Sequence, residues 1–155
     1  MHKAWTVIGG IVLSCALIGT AFAGADGASV YQHDCRVCHH PNGEGSPSFA
    51  PPVAGTAPKL FEADRTYMPK VVLFGLEGKI AVEGRTYNHK MGSFGDKLKD
   101  DDVAAVLNYI LVSWGNDKML PKGYKKFTAA EVKALRGKKL SAKQVQEERQ
   151  KLNVK

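Results

Sequence analysis

The residues of this chain whose spacing most clearly carries chemistry are two thiols and an imidazole within five positions, Cys35, Cys38 and His39. Thiols three residues apart can add to the two vinyl groups of one porphyrin. A histidine directly after the second thiol then falls beneath the iron as an axial ligand. The spacing therefore predicts covalent attachment of one haem, with His39 bound to its iron, and one-electron redox chemistry.

Three other uses of the same residues fit less well. A structural zinc site needs a second pair of ligands, and although His40 and His89 could complete a mixed site, nothing sets their spacing. A redox dithiol of the thioredoxin type needs strand-helix-strand surroundings, which the sequence around Cys35 lacks. A structural disulfide between Cys35 and Cys38 would leave the adjacent His39 unexplained.

The N-terminus has the pattern of an export signal. Lys3 provides positive charge, residues 5–22 are almost free of polar side chains, and residues 21–23 have the small-x-small form of a cleavage site. Cleavage after Ala23 would also remove Cys15, leaving only the two haem thiols. The sequence predicts a signal peptide over residues 1–23 and a periplasmic protein, since covalent haem attachment in bacteria follows export.

Two alternatives for this segment stay open. An apolar run of about 18 residues just reaches the length of a membrane span, so the segment could remain as an anchor. Cys15 follows a sequence that loosely resembles a lipoprotein cleavage site. Membrane association is expected only in these cases.

The chain is basic, with 22 Lys and Arg against 15 Asp and Glu and a formal charge of +7. Loss of Lys3 with the signal leaves 21 basic side chains against 15 acidic ones, a charge of +6. A basic surface favours docking to acidic patches on redox partner proteins, with electrostatic steering that weakens as salt rises. We expect no nucleic-acid partner, because no basic-aromatic binding module is visible.

The second axial ligand has several candidates. Met91 lies in a glycine-bearing loop between two predicted helices, which can bring a thioether over the far face of the haem. Met68 and Met119 are better explained as core or helix-end residues, and His40 directly follows the proximal ligand. His89, two residues before Met91, is the competing ligand, and an open coordination position is the remaining alternative.

The core elements are predicted to be helical, so the expected fold class is all-α. Asp26 caps a first helix that runs into the cysteine pair and stops at Pro41, and residues 41–58 form a loop rich in Gly, Pro and Ser. A helix is predicted over about 67–76, followed by loop or short extended structure over 79–95. The strongest helix starts with Asp100, Asp101 and Asp102 and carries an apolar stripe as far as Trp114.

Beyond Pro121 the composition changes. Two capping-box patterns, at Thr128–Glu131 and Ser141–Gln144, open two short Lys-rich helices over about 129–136 and 142–152. Each has too little apolar surface to fold alone. This tail is predicted either to pack along the core or to lie on a partner, and we expect it to serve docking and not folding.

Together these residues resemble a class I c-type cytochrome over about residues 26–116. The matching motifs, in chain order, are Cys35-x-x-Cys38-His39, Gly43-x-Gly45, Pro51-Pro52-Val53-Ala54-Gly55, Met91-x-x-Phe94-Gly95 and the terminal helix 102–110. The resemblance implies a cytochrome c fold, a small helical bundle wrapped around one covalent haem c with its iron. It divides the chain into a signal peptide (1–23), a cytochrome c domain (24–118) and a basic helical C-terminal extension (119–155).

The resemblance also implies particular contacts. The first and last core helices cross near Gly27, Tyr31, Val106 and Tyr109. The Pro51 carbonyl accepts a hydrogen bond from the His39 ring, which fixes the tautomer of the ligand.

An iron held by His39 and Met91 has no free position for a substrate, and the chain lacks a convincing nucleophile-base-acid set. The sequence therefore predicts an electron-transfer protein and not an enzyme. It is expected to be a periplasmic one-electron carrier between a dehydrogenase or reductase as donor and an oxidase or reductase as acceptor. One alternative is a haem-bearing subunit of a periplasmic dehydrogenase complex, and a further alternative is a five-coordinate haem enzyme or gas sensor.

Overall fold

A computed structural model describes residues 25–154 of the chain. The predicted signal peptide, residues 1–23, lies outside the described residues. Within them, no helix is both long and apolar enough to cross a membrane.

The first helix, α1 (residues 27–39), delivers the cysteine pair and the histidine. Its three parts are an α-helical turn at Gly27–Val30, a π-helical turn at Tyr31–Cys35 and an α-helical turn at Arg36–His39. Asp26 caps its start by accepting a hydrogen bond from the backbone N–H of Ala28 at 3.1 Å. It ends at His40, whose positive φ of 61° breaks the helix just before Pro41. The predicted first helix is confirmed, while its π turn, a feature frequent at functional sites, was not predicted.

Five further α-helices, one 3₁₀ turn and one hairpin follow among the described residues. They are α2 (Ala57–Ala63), α3 (Tyr67–Phe74), β1 (Ile80–Val82), β2 (Arg85–Tyr87), α4 (Asp100–Val112), the 3₁₀ turn Asn116–Met119, α5 (Ala129–Arg136) and α6 (Ala142–Lys151). The mainly helical prediction is therefore confirmed. The strongest predicted helix is present as α4 but ends two residues earlier than Trp114, which adopts a positive φ of 53°.

Helices α1 and α4 cross at a glycine, as the resemblance implied. A Cβ atom on Gly27 would lie 2.2 Å from the carbonyl oxygen of Ala105, so no larger residue fits without moving a helix. One turn further, the rings of Tyr31 and Tyr109 pack with their centroids 5.6 Å apart, and Val106 is fully buried beside them. This crossing fixes α1, and with it the thiols and the imidazole, against the buried face of α4.

Helix α2 was not predicted, and the hairpin lies within residues 79–95, for which the sequence predicted loop or short extended structure. Helix α2 begins inside the segment expected to be a loop, because Pro58 lies in its first turn, where the missing N–H costs no hydrogen bond. The hairpin pairs Ile80 with Tyr87 and turns at Gly84, whose φ is +75°. Its strands have three residues each, which is too few for an alternation of apolar and polar side chains to be recognised in the sequence.

The C-terminal extension packs against the core. Helices α5 and α6 begin at the two predicted capping boxes, with Glu131 accepting from the Thr128 N–H at 2.8 Å and Gln144 from the Ser141 N–H at 2.8 Å. Four buried apolar side chains join the extension to the two hydrophobic clusters of the chain: Phe127, Val132, Leu135 and Val145. Of the two predicted placements, packing along the core is therefore confirmed, and the tail contributes to the folded core, which the expectation of a role in docking and not in folding did not include.

Three basic side chains also join the extension to the rest of the molecule. Arg65 binds both carboxylate oxygens of Glu131, at 2.9 and 3.2 Å, and Arg136 donates to Asp100 at 2.8 Å. Lys70, only 5% exposed, forms an ion pair with Glu148 at 2.7 Å. Lys70 needs this partner, because an unpaired buried ammonium group is strongly destabilising.

Candidate haem-binding site

The five residues singled out from the sequence, Cys35, Cys38, His39, Pro51 and Met91, all line one deep cleft. They come from three separate parts of the chain, the end of α1, the loop after it and the loop before α4. The rest of the lining is largely apolar and comes from all sides: Val53, Ala57, Leu60, Met68, Val71, Val72, Leu76, Ile80, Val82, Val106, Leu107 and Ile110.

The histidine is held in one orientation. The His39 Nδ1 atom lies 2.9 Å from the carbonyl oxygen of Pro51, which is the hydrogen bond that the resemblance implies. Burial lowers the pKa of His39, although the Pro51 carbonyl opposes this, so the ring is neutral at pH 7. Because a carbonyl can only accept, the proton of the neutral ring lies on Nδ1, and Nε2 keeps the lone pair that a metal needs.

The two thiols are unsuited to dithiol redox chemistry. Both are free in the structure and half-buried. Burial, with the neighbouring Asp34 charge, raises the pKa of the Cys35 thiol to about 12. Reactive dithiols have a lowered thiol pKa, so this environment argues against the thioredoxin alternative.

Met91 does not lie in a helix, and its position is set by backbone hydrogen bonds to Leu76. Its N–H donates to the carbonyl of Leu76 at 2.9 Å, and its carbonyl accepts from the Leu76 N–H at 3.0 Å. The backbones of Gly75 and Met91 lie close together, since a Cβ atom on Gly75 would lie 2.5 Å from the Met91 carbonyl oxygen. This two-residue bridge sets the half-buried Met91 side chain at the cleft, next to the end of α3.

The competing ligands are placed differently. His89 also lines the cleft, but it is exposed and its ring lies 4.7 Å from that of Phe49. Met68 is a buried wall residue of α3. His40 and Met119 do not line the cleft, whereas Met91, His89 and Met68 do.

Asn116 supports the site and was missed in the sequence, where it only signalled the end of a helix. It is fully buried, and its Oδ1 accepts from the Gly55 N–H at 2.7 Å. Its Nδ2 donates to the carbonyls of Val53 at 3.2 Å and Ile110 at 2.7 Å. These bonds hold the loop that carries Pro51 against the end of α4. Nothing in the sequence near Asn116 indicates that its partner is a loop about 60 residues earlier.

These residues fit a covalently attached haem. The cleft is apolar, as a porphyrin requires, and adjacent thiols and a neutral imidazole lie together along one part of it. A thioether lines the same cleft. For a zinc site, by contrast, residues 25–154 contain no cluster of three His, Cys, Asp or Glu side chains that could hold a metal ion.

Comparison with known proteins gives the same result. The family model described as Cytochrome c matches residues 24–114. Cytochrome c-552 of Thermus thermophilus is 49% identical over 139 residues, covering 88% of this chain and 92% of the relative. The cytochrome c subunit of a quinone alcohol dehydrogenase from Gluconobacter oxydans is 34% identical over 103 residues, covering 66% of this chain. The gluconate 2-dehydrogenase cytochrome c subunit of Pantoea cypripedii is 38% identical over 92 residues, covering 58% of this chain.

The family model covers the attachment motif and the proposed second ligand, Met91. Because the alignment with the Thermus protein covers 88% of this chain, it extends beyond residue 114 into the C-terminal extension. The chain belongs to the cytochrome c family and is an electron-transfer protein whose cofactor is covalently bound haem c.

Proposed function

We propose that the protein is an exported, freely diffusing one-electron carrier, with His39 and Met91 as the two axial ligands of its haem iron. The observation that carries the proposal is that Met91, a soft thioether donor, lines the same cleft as Cys35, Cys38 and His39 and is held there by its backbone. With both axial positions occupied by side chains, the protein exchanges electrons and binds no substrate at the iron.

Bound in this cleft, the haem iron supplies reversible one-electron chemistry. The protein tunes that chemistry through its own residues. The Met91 thioether and the apolar walls both favour the ferrous state, since ferric haem carries an additional positive charge that an apolar surrounding penalises. The Pro51 carbonyl keeps the His39 ring oriented toward the iron.

Electrons have a short route to the surface beside the attachment motif. Val37, between the two cysteines, is 81% exposed, and Phe49 of the cleft is 47% exposed. We assign this edge to contact with redox partners, a dehydrogenase or reductase as donor and an oxidase or reductase as acceptor.

The lengths of the relatives favour a free carrier over a complex subunit. This chain covers 92% of the Thermus cytochrome c-552 but only 21% and 20% of the two dehydrogenase subunits. The subunit role is the second candidate, because these relatives are named as parts of dehydrogenases. Co-purification of the native protein with a large catalytic subunit would favour the second candidate, and isolation as a single soluble chain the first.

Optical spectroscopy of the purified holoprotein tests the axial ligands. We expect the ferric protein to show the weak far-red band of thioether-to-iron charge transfer. We expect the reduced protein not to bind carbon monoxide at neutral pH. Rapid carbon monoxide binding would instead indicate a five-coordinate iron and support a gas sensor or enzyme. For export, the N-terminal sequence of the periplasmic protein should begin at Gly24.

A further inference from the structure

A buried arginine from the C-terminal extension reaches the haem cleft. Arg149, on α6, is 7% exposed and lines the same cleft as His39 and Met91. Its Nη2 donates to two neutral carbonyls, Ala81 at 3.1 Å and Val154 at 3.3 Å. Among residues 25–154 no acceptor meets its Nε or Nη1 and no carboxylate lies within ion-pair distance.

The neighbouring carboxylate does not balance this charge. Glu148 precedes Arg149 in the chain, but its carboxylate binds the ammonium group of Lys70 at 2.7 Å. Two carbonyl hydrogen bonds do not compensate a buried guanidinium, which has five N–H donors and a full charge. The protein alone therefore leaves a buried cation at the cleft without a counter-ion among the described residues.

A second unpaired donor lies beside it. Tyr67 of α3 is 2% exposed and lines the cleft, and its hydroxyl has no hydrogen-bond partner among the described residues. Burial raises the pKa of Tyr67, an effect that the nearby Arg149 charge opposes. The hydroxyl therefore stays protonated and is available to donate. A cation and a hydroxyl donor at one end of an apolar cleft are the groups that recognise a carboxylate.

We propose that Arg149 and Tyr67 bind a propionate carboxylate of the haem, which makes the C-terminal extension part of the cofactor site. The proposal rests on the haem occupying this cleft but not on which side chain is its second axial ligand. The propionate supplies the negative charge that Arg149 lacks, and Arg149 in turn allows an ionised carboxylate to be buried. The extension is then coupled to the cofactor by charge as well as by packing.

Resonance Raman spectroscopy tests this directly, because the bending mode of a haem propionate shifts with its hydrogen bonding. In the holoprotein, Arg149→Gln should shift that mode, Tyr67→Phe should shift it by a smaller amount, and Arg149→Lys should restore part of the Arg149→Gln shift. Carboxylate bands in redox-difference infrared spectra should move in the same variants. An unchanged propionate mode in a haem-loaded Arg149→Gln protein would overturn the role of Arg149.

A matched control separates cofactor binding from anchoring of the tail. Arg136 also joins the extension to the core, through Asp100 and backbone carbonyls, but it does not line the cleft. Arg136→Gln should lower the melting temperature without moving the propionate mode. If Arg149→Gln yields no holoprotein, the test uses Arg149→Lys and Tyr67→Phe instead. A shifted propionate mode in either variant supports the proposal for that residue. An unchanged propionate mode in both variants overturns the proposal.

The same samples keep this proposal separate from the assignment of the axial ligands. The far-red thioether band reports on Met91 and should persist in the Arg149 and Tyr67 variants. Loss of that band in the parent protein would contradict the proposed ligation while leaving the propionate result intact. An unchanged propionate mode with a normal far-red band would contradict only the role of the extension.

Discussion

The orientation of His39 depends on a residue twelve positions further along the chain. The Pro51 carbonyl binds its Nδ1, and the loop that carries Pro51 is in turn held by the fully buried Asn116. A ligand whose second nitrogen is hydrogen-bonded keeps one tautomer and one ring orientation in both oxidation states. Little rearrangement is then needed when an electron arrives or leaves.

Replacing Met91 is the sharpest single-residue test of the proposed ligation. Met91→Ala should open one axial position, lower the midpoint potential and allow carbon monoxide to bind the reduced protein. It should also destabilise the holoprotein by about 2 kcal/mol, the lower end for methionine truncation, because the side chain is only half-buried. Spectroscopic titration with carbon monoxide and thermal unfolding measure the two effects.

Two control variants complete that test. Met68→Leu changes a buried methionine of the same cleft with little change in volume, so it should keep the parent spectrum and cost less than about 1.5 kcal/mol. His89→Ala should also keep the spectrum. If His89→Ala lost the second ligand while Met91→Ala kept it, the ligand would be His89.

At the residue level the sequence predicts residues that lie in recognisable motifs, Pro51 and Met91 among them, and misses residues that lie outside any motif. Cys35, Cys38 and His39 are readable because their spacing alone defines the chemistry. Asn116 binds Gly55, 61 residues earlier in the chain, and Arg149 binds Ala81, 68 residues earlier. Asparagine and arginine are also common on protein surfaces, so neither residue type marks a site. Only the fold brings Arg149 to the cleft and Asn116 to the loop that carries Pro51.

At the level of elements, local signals predicted the helices that have caps. Helices α5 and α6 begin at the residues where capping boxes occur, and α4 begins with a run of three aspartates. Helix α2 and the hairpin lack such signals, yet they build walls of the cleft through Leu60, Ile80 and Val82. Their formation depends on burial against the rest of the cleft, which a local pattern does not encode.

The contact between α5 and the core predicts a pH dependence of stability. Hydrogen bonds from Arg65 lower the pKa of Glu131 to about 2, with Thr128 contributing, from an unperturbed value of 4.5. A depressed folded-state pKa stabilises the fold above pH 4.5, and that stabilisation is lost as the pH falls from 4.5 toward 2. Because Glu131 is largely solvent-exposed, screening limits the effect at pH 7 to about 1 kcal/mol.

Glu131→Gln should therefore lower stability at pH 7, and its difference from the parent protein should shrink progressively below pH 4.5. Urea unfolding of both holoproteins at pH 7 and near pH 3 measures this. Glu83→Gln, which breaks the exposed ion pair with Lys59, is the control and should change stability by less than about 0.5 kcal/mol at either pH. A constant difference between Glu131→Gln and the parent at both pH values would contradict the assigned ion pair.

At the level of the whole molecule, the C-terminal extension closes the fold. The extension is Lys-rich and has few apolar residues, so the sequence suggested a surface appendage. The few apolar side chains are nevertheless the buried ones, and Val132 and Val145 have no exposed surface at all. The amino-acid composition of the extension is an average over all its residues. It therefore does not reveal the four apolar side chains that pack into the hydrophobic clusters of the chain.

Truncation after Asn116 tests this role. All of the proposed iron and thioether attachments precede that point, so the haem should stay covalently bound. The truncated protein loses Phe127, Val132, Leu135 and Val145 from its core, which should lower the free energy of unfolding by on the order of 5 kcal/mol. It also loses the cleft residues Arg149 and Val154, so its haem absorption bands should shift as water enters.

The matched control removes charge from the extension and keeps its packing. Lys138 and Lys143 are exposed, so Lys138→Gln combined with Lys143→Gln should change stability by less than about 0.5 kcal/mol and leave the haem spectrum unaltered. Thermal unfolding followed by circular dichroism and haem absorbance compares the three proteins. If the truncated protein unfolded at the parent temperature with the parent spectrum, the extension would be a surface appendage. If instead it melts earlier while the double Lys variant does not, the buried side chains and ion pairs of the extension stabilise the fold, and its exposed lysines do not.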